Sequence, residues 1–276
     1  MNTITTQKTI INFLMRIVVV FICIICIFPL FWMLVISLKT GTQTLDPSIW
    51  LFKPTFENYK EAFLNRNILD YMKNSLIVVF LTTVISIFIG GLAAYGFARF
   101  EFKKREDLAF WVLSLRMLPP MATVIPFFVM ARMLNILDTH LVLIICYMLF
   151  NIPFTIWMMR GFFEEIPQAI EEAAFIDGCS RFQVFTKVLL PLSTPGLIAT
   201  AIFCIINSWN EFVFALFLTS SDAITLPTTV TLFLSISGVA WGEMSAVGVI
   251  TILPVLVFAM IVQKYMIRGL TFGGVK

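Results

Sequence analysis

Apolar residues run through this chain in stretches much longer than the alternation of a half-buried strand or the three-to-four spacing of a surface helix requires. The segments 17–38, 76–97, 108–131, 141–159, 197–218 and 244–262 each offer about 20 mostly apolar residues, the length a helix needs to cross a bilayer's hydrocarbon layer. No water reaches a backbone amide there, so each segment must satisfy its own hydrogen bonds as a helix. Transmembrane β-strands are excluded, because the runs are continuous rather than alternating and exceed the roughly 10 residues of a barrel strand. The six segments fill close to half the chain yet contain two charged residues, Arg116 and Glu211. The pattern predicts an all-α polytopic membrane protein, with a single transmembrane domain over 1–276, six membrane-spanning helices and one long loop at 160–196.

Composition agrees: 59% of residues are hydrophobic, 13% are charged, and the mean hydropathy is +0.96. A soluble domain carries about a quarter charged residues, so a water-soluble enzyme is excluded, and membrane lipid is the expected surroundings. A net charge of +3 is too small to imply a polyanion, and no nucleic-acid partner is expected. The distribution of charge matters more than its sum. Twelve basic residues, among them Lys8, Arg16, Arg99, Lys103, Lys104, Arg105, Arg160 and Arg181, fall on one side of the six-span topology; six, Lys39 to Lys73 and Arg132, fall on the other. The excess predicts that both termini are cytoplasmic. The first apolar run is too long for a cleaved leader and no small-x-small site follows Leu38, so it reads as a retained signal anchor.

Outside the spans, Phe56, Tyr59 and Phe63 recur at helical spacing in the 39–75 loop, which suits either a helix lying at the membrane interface or a packed lid. The 219–243 loop has no Lys or Arg and is rich in Thr and Ser; it either connects two spans or faces a soluble partner. The 160–196 loop is more patterned. Pro167 suits a first helical position and Gly178 the left-handed residue that ends a helix, predicting one short helix over 167–177. Ser180 and Gln183 have capping-box spacing, so a second helix starts at once and runs towards Pro191. On the first helix Ile166, Ile170, Ala173 and Ala174 lie near one face. Glu171, Glu172 and Asp177 supply charges suited to a partner's basic groups or backbone amides.

Glu172-Ala173-Ala174, three residues to Gly178, nine more to Val188, then Leu190-Pro191, resembles the cytoplasmic loop of permease subunits in binding-protein-dependent ABC importers. Cys179 stands where many members have alanine. Asn58-Tyr59, the stretch 208–212 and the ending 268–276 resemble the carbohydrate-uptake branch. The resemblance implies a bacterial-type inner-membrane, multi-pass subunit of a sugar importer. Its implied partners are a second permease of different sequence, two cytoplasmic ABC ATPase subunits and an external solute-binding protein.

The residues agree on one point independently: a phosphate-cradling loop needs a Gly-Lys pair, and the chain has none. ATP and Mg are therefore expected on the partner ATPase, with no cofactor or metal bound here and no enzyme activity of this chain. The 160–196 corner is the expected coupling element, its residues Glu171, Glu172, Ala173, Ala174, Asp177 and Gly178. For the solute path the fifth span offers Thr200, Asn207 and Glu211 on one stripe with Asn210 beside it, groups that suit sugar hydroxyls or, equally, glue between two permeases. Arg116 in the third span is the other candidate; it can pair with Glu211, snorkel, or meet the sister permease. Pro119, Pro120 and Pro126 interrupt its helix and free carbonyls that need partners. Gly90, Ala94 and Ala98 form a small-residue face for close helix packing. The rival reading is an ion-coupled secondary transporter, which would favour several intramembrane carboxylates where this chain offers Glu211 alone. An intramembrane enzyme is disfavoured: Cys23 and Cys26 lie in an apolar span and His140 is the sole histidine, so metal or triad chemistry has no constellation to use.

Overall fold

The computed structural model describes residues 2–235 and 238–272. Of the ending 268–276, residues 273–276 lie outside the described residues. The described residues are helical almost throughout, and the chain divides into two compact units, Met1–Ile68 with Val230–Ile252, and Leu69–Thr229 with Leu253–Lys276.

Among the described residues four helices are long and apolar enough to cross a membrane unbroken: Asn12–Ser37 of α1 (Asn2–Ser37), α3 (Ile68–Arg99), α6 (His140–Glu165), and Trp241–Ile261 of α12 (Trp241–Phe272). The other two expected spans are not single helices, the first of them interrupted at Pro119 and Pro120 as its prolines imply. The 108–131 segment is a pair of helices, α4 (Arg105–Ser114) with a 3₁₀ turn Leu115–Met117, then α5 (Pro120–Met133), meeting at 91°. Leu118 and Pro119 are extended, with ψ of 120° and 129°. Each precedes a proline, whose ring disfavours the helical region for the residue before it. The 197–218 segment breaks as well: α10 (Thr194–Trp209) stops after 16 residues, and α11 (Val213–Leu218) starts beyond a short irregular stretch. Upstream, Arg181–Leu192 meets α10 at 82°.

In the first unit, α2 (Glu57–Asn65) is docked on the C-terminal end of α1. The last carbonyls of a helix lack intrahelical donors, and Asn58 Nδ2 supplies them, donating to Ser37 O at 2.8 Å and Lys39 O at 2.7 Å. Ser37 Oγ donates to Leu34 O, so the Tyr59 hydroxyl donates to Ser37 Oγ at 2.8 Å. Gly242 at the start of α12 has room for no side chain, since a Cβ there would meet the Asn58 amide at 2.5 Å. Lys39 is buried; its ammonium lies over the Trp32 and Phe52 rings and donates to Asp46 O. Of the aromatic stripe only Tyr59 lies on the packed face. Phe56 and Phe63 are exposed, and α2 buries Ala62 and docks through Asn58 and Tyr59. The hairpin strands β1 (Leu234–Ser235) and β2 (Gly238–Val239) pair antiparallel.

In the second unit, α6 is the most buried of the long helices. Clusters of buried apolar side chains around it include two among the described residues. One gathers Val78, Leu143, Cys146, Phe214 and Leu218 from α3, α6 and α11; the other joins Ala94, Tyr95 and Ala98 of α3 to Met159 and Phe163 of α6 and to Phe185 and Leu189. The small-residue face of α3 does what its sequence predicts: a Cβ on Gly90 would lie 2.6 Å from Thr155 Cβ, so α3 and α6 pack backbone to side chain there.

Candidate functional site

Two places in the second unit carry most of the site residues expected from the sequence. The first is a cavity of about 200 Å³ lined by Arg116, Tyr147, Asn151, Asn207, Ser208 and Glu211. Local breaks create it. The 3₁₀ turn before Pro119 carries Arg116, whose guanidinium lies 4.6 Å from the centre of the Phe154 ring. Where α10 ends, Glu211 turns its carboxylate onto the N-terminus of α11, Oε1 accepting from Phe214 N at 3.0 Å and Oε2 from Ala215 N at 3.4 Å. A carboxylate at exposed N–H groups and the positive end of a helix is well placed. Asn151 Nδ2 donates to Ser208 Oγ at 2.7 Å, while its buried Oδ1 has no hydrogen-bond partner among the described residues.

The structure therefore brings Arg116, Asn207 and Glu211 to one cavity, and no ion pair joins Arg116 to Glu211 among the described residues. Asn210 does not line it; its side chain folds back to Ile206 O at 2.9 Å. Thr200 lies elsewhere, buried against Met159 and bonded to Gly196 O. Sequence reading missed Tyr147 and Asn151. Asn151, a lone amide in the apolar α6 run, was the available signal.

The second place is the 160–196 corner. The predicted elements form there: α7 (Gln168–Ile176) is followed by Gly178 at φ +84°, and Ser180 and Gln183 make a reciprocal capping box that starts α8 (Arg181–Val184). A π-turn, Phe185–Leu189, continues α8 into α9 (Leu190–Leu192). Glu172, Ala173, Asp177 and Gly178 are exposed and Ala174 is half-buried. Glu171 differs from expectation. It is buried and ion-paired with Arg99 at the end of α3, so it is turned away from any partner. Exposed around it are apolar side chains: Ile176 is 87% exposed and Phe182 61%, with Ile170 and Phe175 also open.

Between α5 and α6, Asp138 accepts from the backbone N–H groups of Ser220, Ser221, Asp222 and Ala223 and from both serine hydroxyls. Burial disfavours its charged form, but these donors outweigh burial and hold the carboxyl well below its ordinary value.

The family model described as binding-protein-dependent transport system inner membrane component matches residues 86–272, a stretch that contains both places. The chain belongs to this family. Among curated relatives of this inner-membrane component, a probable ABC transporter permease protein of Sinorhizobium fredii is 39% identical, covering 91% of this chain and 90% of its own. The trehalose/maltose transport system permease protein MalG of Thermococcus litoralis is 36% identical over 93% of this chain and 94% of its own. A crystal structure of a bacterial ABC transporter that imports the acidic polysaccharide alginate contains a chain of the same fold, with a TM-score of 0.79 at 22% identity, covering 94% of this chain and 97% of that one. The resemblance read from Glu172-Ala173-Ala174, Gly178 and Leu190-Pro191 is thus borne out: this is a multi-pass inner-membrane permease component.

Proposed function

We propose that this chain is one half of the transmembrane path of an ATP-driven importer for a sugar or sugar-like solute, and that α7 and its flanking corner seat a separate ATPase. The family assignment supports the importer role, and relatives named for trehalose/maltose and for diacetylchitobiose support the sugar class. The observation that carries the coupling role is the inverted character of α7. A short helix outside the spans buries a carboxylate and leaves Ile170, Phe175 and Ile176 uncovered, the pattern of a surface whose partner is absent.

On this reading a second permease of different sequence completes the path, two ATPase subunits carry ATP and Mg, an external binding protein delivers solute, and both termini are cytoplasmic. The cavity at Arg116, Asn207 and Glu211, extended by Tyr147 and Asn151, is this chain's contribution to the solute route. Its unpaired Asn151 oxygen suits a hydroxyl donor from a solute or water. ATP binding closes the ATPase pair, the seated α7 moves with it, and the attached helices reorient.

The test is uptake by the complete complex in liposomes. Glu172→Lys should repel a basic groove, and Gly178→Val should strain a residue held at φ +84°. Both variants should assemble and lose solute-stimulated ATP hydrolysis. Normal uptake by both overturns the coupling role, and uptake that needs a sodium or proton gradient without an ATPase overturns the importer reading.

A further inference from the structure

The coupling corner is joined in sequence to α6 and α10, yet its strongest polar tie is to α3, a helix 72 positions away. The Arg99 guanidinium donates through Nε to the Glu171 carboxylate and through Nη2 to Ile166 O at 2.8 Å, so one side chain holds both α7 and the residue that ends α6, two positions before α7 begins. Neither partner reaches solvent appreciably: the Arg99 and Glu171 side chains are 8% and 5% exposed. The next residue is gripped from the other arm of the corner, with the Arg181 guanidinium 4.8 Å from the centre of the Phe100 ring. One turn earlier, Tyr95 packs on Phe185 of the π-turn at 5.4 Å. Both arms of the corner therefore hold the same end of α3.

The opposite end of α3 is held just as specifically. Asn74 Nδ2 donates to Asp222 O at 2.8 Å and Ile224 O at 3.0 Å, and Ser75 Oγ accepts from Leu226 N at 2.7 Å. Because the Asn74 amide nitrogen is the donor, its oxygen is the acceptor for His140 Nε2–H at 2.8 Å. Between these ends α3 is one helix, and it alone of the four long helices contains no proline, whereas α1, α6 and α12 carry Pro29, Pro153 and Pro254. From Asn74 to Arg99 it spans about 37 Å at 1.5 Å per residue. The remaining crossings of this unit, through α4–α5 and α10–α11, are broken.

We infer that α3 is the rod that links the coupling corner to the 222–226 loop, with Arg99 and Glu171 as the positioning residues that fasten one end and Asn74 the other. Resting on the proposal that the corner seats an ATPase, this assigns Glu171 a task opposite to that of its neighbour Glu172. Glu172 faces outward to the engine, and Glu171 faces inward to the rod. A displacement of α7 pushes or draws α3 along its axis and so moves the loop at the far end; a solute-loaded protein pressing on that loop signals back by the same route, since coupling between two sites is reciprocal.

The test uses the full complex reconstituted with its ATPase and binding protein. Glu171→Gln removes the ion pair while keeping the shape, and Asn74→Leu releases the far end without touching the corner. Each variant should still co-purify with the ATPase and keep basal ATP hydrolysis, while the stimulation by solute-loaded binding protein and the uptake rate both fall about tenfold. Exchanging the charges, Arg99→Glu with Glu171→Arg, should recover part of the stimulation that Glu171→Gln loses. Unchanged stimulation in both single variants overturns the rod. So does a loss of ATPase from the Glu171→Gln complex, which would put Glu171 on the docking face. A mere fall in the amount of complex with an unchanged ratio of stimulated to basal hydrolysis would make the contacts structural only. If Glu171→Gln does not accumulate, Asn74→Leu decides alone. A wild-type chain that binds no ATPase would refute the docking proposal and the rod with it, whereas unchanged stimulation in the single variants of a wild-type complex that does bind ATPase refutes the rod alone.

Discussion

Gly90 and Gly91 are adjacent on α3 and should respond oppositely to the same methyl group. A Cβ on Gly90 would lie 2.6 Å from Thr155 Cβ, 2.8 Å from Thr155 Cγ2 and 3.2 Å from Ile152 O. None of these is the end of a flexible chain. Thr155 is buried, with its hydroxyl committed to Asn151 O at 2.9 Å, so it cannot swing aside without losing that bond. On Gly91 the nearest atom to a new Cβ is Phe185 Cζ at 4.0 Å, an ordinary contact. Replacing glycine by alanine inside a helix stabilises it by about 1 kcal/mol wherever the methyl fits. Overpacking a closed site costs about 1–3 kcal/mol. Helix propensity cancels between the two variants, so Gly90→Ala should be less stable than Gly91→Ala by about 1–3 kcal/mol, with Gly91→Ala at or above wild type. Thermal unfolding of the purified complex in detergent, followed by tryptophan fluorescence, separates them; for a chain of this size each kcal/mol moves the midpoint by about 2–4 °C. Equal midpoints for the two variants would refute the close approach of α3 to α6 at Thr155.

Three further outcomes follow from single contacts. Because Asp138 has its carboxyl held below the ordinary value, its stabilisation is fully present above about pH 4 and is lost as pH falls through the depressed value. Asp138→Asn should therefore cost about 1–3 kcal/mol at pH 7 and flatten the acid limb of the stability profile; an acid limb identical to wild type would contradict it. Asn58→Leu leaves Ser37 O and Lys39 O without their donor and should lower the unfolding midpoint through about 1–3 kcal/mol, whereas Phe56→Ser, on an exposed side chain, should leave it unchanged. Ser180→Ala removes the cap that starts α8 and should cost about 1 kcal/mol; faster amide exchange confined to 181–184 would report it.

Legibility in the sequence followed the range of the interaction. The capping box at Ser180 and Gln183 and the left-handed Gly178 were readable because each is decided within four residues. The apolar runs were readable because lipid sets their length. The interruption at Pro119 and Pro120 was readable too, but its sharpness, the passage of α5 straight through Pro126, and the break after α10 were not. Composition marks 108–131 and 197–218 as apolar, but whether a proline pair kinks or splits a helix, and whether Glu211 continues α10 or caps α11, depends on what the freed backbone groups meet. Asn58 showed the same limit in another form: the periodic aromatic stripe of α2 was visible, while the amide that docks the helix acts on carbonyls about 20 positions away. Arg99 counted in sequence only as one more basic residue near a membrane face, since nothing local announces its partner.

The neighbouring carboxylates Glu171 and Glu172 show why a coupling element has this composition. Successive residues on a helix point about 100° apart, so a nine-residue helix cannot send both to the same surface. A segment that only packed on its own bundle would bury its apolar side chains and expose its charges. A segment that only docked an outside partner would have no reason to bury an ion pair, since removing two charges from water costs more than an apolar contact of similar volume. α7 does neither: it exposes Ile170, Phe175 and Ile176 and buries the Glu171–Arg99 pair. An apolar attachment slides, because dispersion and burial are indifferent to small changes of register. A buried ion pair with a second hydrogen bond to Ile166 O does not, because displacement strands a charge. The stability conceded by burying charge is repaid as directional stiffness at the one joint where a stroke must be passed on without slip.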